Sequence, residues 1–323
     1  MRRIGVLTSG GDGPGLNPCI RAVVRTALGM GMSVMGVRRG YSGLIGGEIE
    51  EMTARSVGGI IGRGGTILGT SRSPEFATPQ GQLDAMRNMN RFGIEGLVVI
   101  GGNGSLTGAL KLHERGVKVI GLPGTIDNDL GGSDTTIGVD TTLNTILDAI
   151  DKIKDTASSH QRAFLVETMG RGSGYLAIMS SIAGGAEMAL IPERAASLED
   201  VSTTLKDAYI RGKTHCIIVV AEGWKPGIKD LDEFLNSQKA ELGFEVRTIV
   251  LGHIQRGGSP SAYDRILATR LGAAAVEALS EGESGLMIGW VGDKFARTPL
   301  TEVIKPSDKV KQDLLKLEKL MEK

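Results

Sequence analysis

Cysteine is nearly absent from this sequence, with only Cys19 and Cys216 among 323 residues. They form no CxxC pair and have no histidines at ligand spacing, which excludes a disulfide scaffold, a dithiol redox centre and a cysteine-built zinc site. Both lie in apolar stretches and are expected as reduced core residues. Net charge is absent too, since 37 basic residues balance 37 acidic ones. Nucleic-acid binders normally carry a basic excess, so no nucleic-acid partner is expected, although local basic pockets for small anions remain open. No apolar run reaches membrane-spanning length, so no membrane partner is expected either. The opening MRRIGVLTSGG has a four-residue apolar run before its glycines, too short for a signal-peptide core. A cytoplasmic location is the expectation.

What is abundant is glycine, 48 residues or about 15% of the chain, roughly twice the usual share. The glycines follow no collagen period and cluster in GGDGPG, GRGGTILG, GGNGS, GRGSG and QRGGSP. Strong apolar segments separate the clusters, which argues against low-complexity disorder. Those segments have strand length: IGVLTS, SVMGV, GLVVIGG, VKVIGLP, AFLVETM, EMALIP, HCIIVVAEG, TIVLG and LMIGW. Amphipathic stretches of helix length lie between most of them, beginning for example at Asp140, Ser197 and Tyr263. Continuous apolar strands alternating with helices read as an α/β fold with mostly parallel sheets covered on both faces.

Ligands of such sheets sit beyond the carboxyl ends of strands. GGDGPG follows IGVLTS, GGNGS follows GLVVI, GTIDND follows VKVIGLP, MGRGSG follows AFLVE, and AEGW follows CIIVV. At least one cleft is expected to collect them. No internal repeat or Pro/Ser-rich linker divides the chain, so two lobes with the chain crossing between them are expected.

No GxxxxGK[ST] loop occurs. The dinucleotide fingerprint GxGxxG fails at Leu16 after Gly11 and Gly13, and at Thr107 after Gly102 and Gly104. What remains are glycine turns whose bare amides can cradle phosphate oxygens at helix N-termini. Ser105 is the expected N-cap of the helix SLTGALKLHE. Arg63, Arg72, Arg162, Arg171, Arg247 and Arg256 fall in or beside turn motifs, where a guanidinium fork suits phosphate oxygens. In LPGTIDNDL, two aspartates two positions apart close an apolar run. A turn explains Gly, Asn and Asp there; chemistry on a phosphate explains them too, with one carboxylate taking a proton and the other holding a metal.

SGGDGPGLN, GRGGTILGTSR, VIGGNGS, LPGTIDND, SSHQR, VETMGRGSGYLA, AEG and VLGHIQRGGSPSAYDR, in that order, resemble the bacterial 6-phosphofructokinases over nearly the whole chain. The resemblance implies two α/β lobes, 1–138 plus 255–305 for the nucleotide and 139–254 plus 306–323 for the sugar phosphate. It also implies ATP with Mg2+ as donor, fructose 6-phosphate as acceptor, and a homotetramer with active sites shared between subunits. It makes Asp127 the general base, with Thr125, Arg72 and Arg171 beside it. Gly11, Arg72, Ser73, Gly102, Asn103, Gly104 and Ser105 are implied for ATP. Thr125, Asp127, Asp129, Met169, Gly170, Arg171, Glu222, His253 and Arg256 are implied for the sugar phosphate, joined by Arg162 and Arg247 from a neighbour. Asp129 and Asn103 are implied for the metal. Phosphoryl transfer needs positioning, a metal, cationic clamps and a carboxylate at the nucleophile, and little else.

Three departures stand out. The family's GGDGS is GGNGS here, so Asn103 replaces a carboxylate; as an alternative, Asn there merely accommodates the glycine turn. An effector site is partly matched by Arg21, Arg25, Glu187, Arg211, Lys213 and His215, but Gly59 and Lys154 stand where an acid and an arginine are common. The segment between Glu222 and Arg247 is a few residues longer. Two other functions compete. A pyrophosphate-dependent enzyme of the same family carries Asp at 104 and Lys at 124, where Gly104 and Gly124 here leave room for the rest of ATP. A non-catalytic sugar-phosphate-binding regulator would need no base.

Overall fold

The apolar runs form strands whose side chains divide between two faces with period two. The computed structural model describes residues 1–306, 310 and 312–321. The rest of the expected 306–323 segment lies outside the described residues. The chain begins with β1 (Arg3–Ser9), α1 (Leu16–Gly29), β2 (Ser33–Val37), α2 (Gly40–Gly46) and β3 (Ile49–Met52). A 3-10 turn at Glu75–Ala77 leads to α3 (Pro79–Arg91), β4 (Gly96–Gly101), α4 (Asn103–Glu114) and β5 (Lys118–Pro123). Then come α5 (Val139–His160), β6 (Arg162–Thr168), α6 (Tyr175–Gly184), β7 (Met188–Leu190), α7 (Leu198–Ile210) and β8 (Cys216–Ala221). Helices α8 (Ile228–Ser237) and α9 (Lys239–Leu242) precede β9 (Glu245–Val250) and a 3-10 turn at Gly252–Arg256. The chain ends with α10 (Ala262–Ser280), β10 (Leu286–Val291), β11 (Lys294–Pro299), α11 (Leu300–Val303) and α12 (Gln312–Met321).

Two units separate: Met1–Thr141 with Arg256–Ser307, and Thr142–Gln255 with Asp308–Lys323. The first holds a sheet ordered β11-β10-β5-β4-β1-β2-β3. Its central strands are parallel, while β3 and β11 are antiparallel edges. Along β4, Val98 and Ile100 join the core with Cys19, Ile20, Leu267 and Leu271 of α1 and α10. Leu97 and Val99 join the opposite core with Tyr41, Ala85, Leu106 and Leu300 of α2, α3, α4 and α11. Burial on both faces is why these strands read as unbroken apolar runs.

The second unit holds the wholly parallel order β7-β8-β6-β9. Leu165, Ile218 and Val220 pack with Val201, Leu205 and Leu231 of α7 and α8. Ser197 and Asp200 form a reciprocal capping box at the start of α7, satisfying two amides that the helix cannot. The longer stretch after Glu222 forms α8 and α9. Glu318 of α12, 2% exposed, accepts hydrogen bonds from the Ala189 amide at 2.8 Å and from Arg194 at 2.7 Å. The carboxylate thereby covers the outer edge of β7, which would otherwise leave polar backbone unpaired. Cys19 and Cys216 are buried and unbridged, and burial pushes both thiols far up in pKa. Among the described residues no helix is long and apolar enough to cross a membrane.

Candidate active site

In the first unit, strand order changes direction between β1 and β4, because β1 continues to β2 on one side and β4 to β5 on the other. Loops at such a point diverge and leave room for a ligand. Gly11 lies in the turn after β1, Gly102–Ser105 after β4, and Thr125–Asp129 after β5. A Cβ on Gly102 would lie 3.3 Å from Thr125, so the last two turns touch. The N-terminus of α4 has Gly102 as its cap residue and no side-chain cap, which leaves its leading amides open to an anion. Ser105 is therefore not the N-cap. The helix begins two residues earlier, and buried Ser105 sits in its first turn. Asn103 leads the helix with φ outside the left-handed region, so accommodation of a glycine turn does not explain it.

Asp127 is 4% exposed. Its amide donates to Thr125 Oγ1 at 3.2 Å, and Thr136 Oγ1 donates to the Thr125 carbonyl at 2.5 Å. Asn128, fully buried, stands between the aspartates at φ 47°. Its Nδ2 donates to the Asp134 carbonyl, and its Oδ1 accepts the Thr136 amide. The far end of this loop is held from α10, where Asp264 accepts from the amides of Gly138 at 2.9 Å and Thr141 at 2.8 Å. Burial raises the Asp264 carboxyl above its usual pKa despite these bonds, and neighbouring Asp140 adds to the shift.

Arg72 is exposed, and the Oγ of Ser73 is buried with no hydrogen-bond partner among the described residues. Arg256 Nη1 donates to the Asp12 carbonyl at 2.9 Å, so its guanidinium lies over Gly11; a Cβ there would come within 2.3 Å of it. Gly104 faces open space. Gly124 does not: a Cβ there would press on Ile100 and Leu16 at 2.9 Å. Its small size serves core packing, not the room for a nucleotide expected from the sequence.

In the second unit, the loop after β6 lies on the loop after β8. Glu222 Oε1 accepts the amides of Gly170 at 3.2 Å and Arg171 at 2.7 Å. Arg171 is exposed at φ 53°, and the Met169 amide donates to Gln255 Oε1 at 3.1 Å. His253 is exposed on its 3-10 turn. Glu167 is half-buried near Glu222, and desolvation followed by the Glu222 charge raises its pKa.

Arg162 opens strand β6 directly after the turn at Gln161, and Arg247 lies two residues into β9. Arg162 begins β6 while Met169 follows its end. A strand rises about 3.3 Å per residue, so the two are separated by roughly 20 Å along one chain.

Of the expected effector residues, Arg21 and Arg25 lie on α1 in the first unit. In the second, Lys213 pairs at 2.9 Å with Glu187, which also accepts the Ile217 amide. His215 bonds Ser158 at 2.9 Å, and Arg211 is exposed. Gly59 adopts φ 69°, a conformation that an acidic side chain would strain. Lys154 donates to the Gly184 carbonyl at the end of α6.

Sequence reasoning missed the supports. Tyr41 donates to the Ser105 carbonyl at 2.6 Å and stacks on Phe76 with centroids 3.9 Å apart, backing the α4 turn. Asp264, Gln255 and Glu245 likewise act through contacts between distant segments, and Asn128 through bonds to the returning limb of its own loop.

The family described as Phosphofructokinase matches residues 3–279. The ATP-dependent 6-phosphofructokinase of Bacillus pumilus is 52% identical over 317 residues, covering 98% of each chain. The corresponding Bacillus subtilis protein is 51% identical, covering 99% of each. Among solved structures, phosphofructokinase from Saccharomyces cerevisiae superposes with TM-score 0.88 at 38% identity, over the whole of this chain and 48% of that longer one.

Proposed function

The chain belongs to the phosphofructokinase family, and from that membership we propose that it is an ATP-dependent 6-phosphofructokinase. It moves the γ-phosphoryl group of ATP to the 1-hydroxyl of fructose 6-phosphate, giving fructose 1,6-bisphosphate and ADP. The observation that carries this reading is Asp127: a buried carboxylate beyond β5, in a loop touching the uncapped N-terminus of α4. Simple binding of a sugar phosphate needs no such base, which disfavours the regulator reading.

Asp127 takes the proton as the 1-oxygen attacks phosphorus and the bond to ADP breaks. Thr125 fixes the base through the Asp127 amide. The Gly102–Ser105 amides, Gly11, Arg72 and Ser73 hold ATP in the first lobe, 1–138 plus 255–305, and the orphaned Ser73 hydroxyl supplies a ready donor. Met169, Gly170, Arg171 and Glu222 hold the sugar in the second, 139–254 plus 306–323, with His253 and Arg256 assigned to the same phosphosugar. Open space at Gly104 favours ATP over pyrophosphate as donor.

Mg2+ fits the donor set, because Asp129 and the Asn103 side-chain carbonyl are both hard oxygens. When bound, it neutralises charge on the transferring phosphate. With a single carboxylate in the pair, much of its hold comes from the nucleotide.

Arg162 and Arg247 are assigned to the sugar phosphate of a neighbouring subunit in a homotetramer. The strand-length separation of Arg162 from Met169 supports this, since one chain cannot aim both at one phosphate. The cytoplasm is the proposed location. The expected effector residues are proposed to take phosphate-bearing ligands with altered discrimination, given Gly59 and Lys154.

The test offers fructose 6-phosphate with ATP, GTP or pyrophosphate and follows the bisphosphate formed. Turnover with ATP is expected. Turnover with pyrophosphate alone overturns the donor, and none with any donor overturns the enzyme.

A further inference from the structure

Strand β9 carries Glu245 and Arg247 two residues apart, hence on one face of the sheet. Its register with β6 sets Glu245 opposite Arg162. The carboxylate divides between the two guanidiniums. Oε2 accepts Nε–H of Arg162 at 2.8 Å, and Oε1 accepts from Nη2 of Arg247. The Arg162 bond holds the Glu245 carboxyl below the usual glutamate range, with the charges of Arg247, Arg162 and Lys239 adding to the shift. At neutral pH, one full negative charge therefore lies inside the cationic pair.

We propose that Glu245 is a built-in counter-ion that weakens this clamp, setting the affinity for fructose 6-phosphate below what the two arginines alone would give. The inference rests on the assignment of Arg162 and Arg247 to the sugar phosphate. A phosphate monoester carries nearly two negative charges at neutral pH. To reach the arginines it must share or displace a carboxylate that repels it. With Glu245 present the three side chains sum to one positive charge, and without it to two.

One effect opposes this. Glu245 also holds two like-charged guanidiniums together, which pre-organises them. The side chains of Arg162, Glu245 and Arg247 are 27%, 35% and 51% exposed, and ordering by such exposed pairs is weak. The repulsion acts on a doubly charged ligand and outweighs it. Solvent screening keeps the net effect to roughly 3- to 10-fold. Glutamine preserves the side chain's shape and one acceptor while removing the charge, so Glu245→Gln isolates the electrostatic part.

The experiment measures the equilibrium Kd for fructose 6-phosphate in the parent, Glu245→Gln, Arg162→Ser, Arg247→Ser and the Arg162→Ser/Glu245→Gln double variant. Thermal midpoints confirm that each is folded. Glu245→Gln is expected to tighten binding about 3- to 10-fold, less so at high salt and less in the Arg162→Ser background, with the KM for ATP unmoved. If Kd rises or stays constant in Glu245→Gln while each arginine variant weakens binding, the counter-ion role is overturned and the clamp stands. If neither arginine variant changes Kd, the clamp is wrong and the inference falls with it.

Discussion

Asn128 Oδ1 accepts the Thr136 amide at 3.0 Å, closing an eight-residue span of the loop that carries Asp127 and Asp129. Its Nδ2 donates to the Asp134 carbonyl at 3.2 Å, so one side chain fixes two points on the returning limb. Because Asn128 is itself left-handed at φ 47°, the kink and its brace are one residue. Asparagine is among the few non-glycine residues that tolerate this conformation.

Asn128→Ala should lower kcat roughly 10- to 100-fold with smaller changes in KM, because a shift of about 1 Å in a catalytic group is costly. Stability should fall by about 1–3 kcal/mol, since a buried amide loses its acceptor. Asn128→Gly separates the two roles. It relieves the backbone but restores no brace, so its kcat is expected to stay within a few-fold of Asn128→Ala. A parent-like kcat in Asn128→Gly would show that the kink alone matters.

Asp127→Asn keeps the shape of the proposed base but cannot accept a proton, and turnover should fall roughly 10²- to 10⁴-fold while sugar binding changes little. The same variant probes site sharing when mixed with Arg162→Ser chains. If Arg162 serves a neighbour's site, some hybrid sites carry neither lesion and activity partly returns. Verified hybrids that stay inactive argue against sharing.

Asp264 links stability to pH. Burial raises its folded pKa above the ordinary 3.8, so the folded state holds the proton longer than the unfolded one. Its contribution is then greatest below the ordinary pKa and declines as pH rises through the folded value. Asp264→Asn removes that titration but leaves one side-chain oxygen to serve the amides of Gly138 and Thr141. The variant should be less stable at acid pH, and its deficit relative to the parent should narrow as pH rises above about 4. Urea unfolding of both proteins across pH 4–7 checks the sign, and a deficit that widens with pH contradicts it.

Some of this was legible because it is local and some was not because it is cooperative. The central strands announced themselves as apolar runs, since both of their faces are buried. Edge strands β3 (IEEM) and β11 (KFARTP) are half-polar and escaped notice. The stretch expected to begin at Ser197 does begin there, because a capping box that spans four residues fixes the start of α7. Ser105 misled because Gly102 starts α4 with no side-chain signal at all. Gly124 shows the same limit: whether a glycine spares room for a ligand or for Leu16 depends on where its missing Cβ points.

Asn103 joins the head of α4 to the proposed metal site. It is half-buried at the head of α4, and Thr107 Oγ1 donates to its backbone carbonyl at 2.9 Å. Thr107 Oγ1 also donates to its side-chain carbonyl at 3.5 Å. In the proposed metal site that oxygen carries no charge, which would leave Asp129 and the phosphates of ATP to bear most of the binding. The enzyme should therefore need more free magnesium than the Asn103→Asp variant. A carboxylate at this position also favours the helix N-terminus by about 0.3–1 kcal/mol, which predicts a modest rise in Tm independent of metal. The two effects separate cleanly. A raised Tm with identical magnesium dependence would assign residue 103 to the helix alone, whereas a curve shifted to lower magnesium at fixed nucleotide places it at the metal. Asn103-Gly104 is a deamidation-prone dipeptide, so peptide mass spectrometry of the parent comes first; partial conversion to the acid would pull the two curves together and imitate the first result.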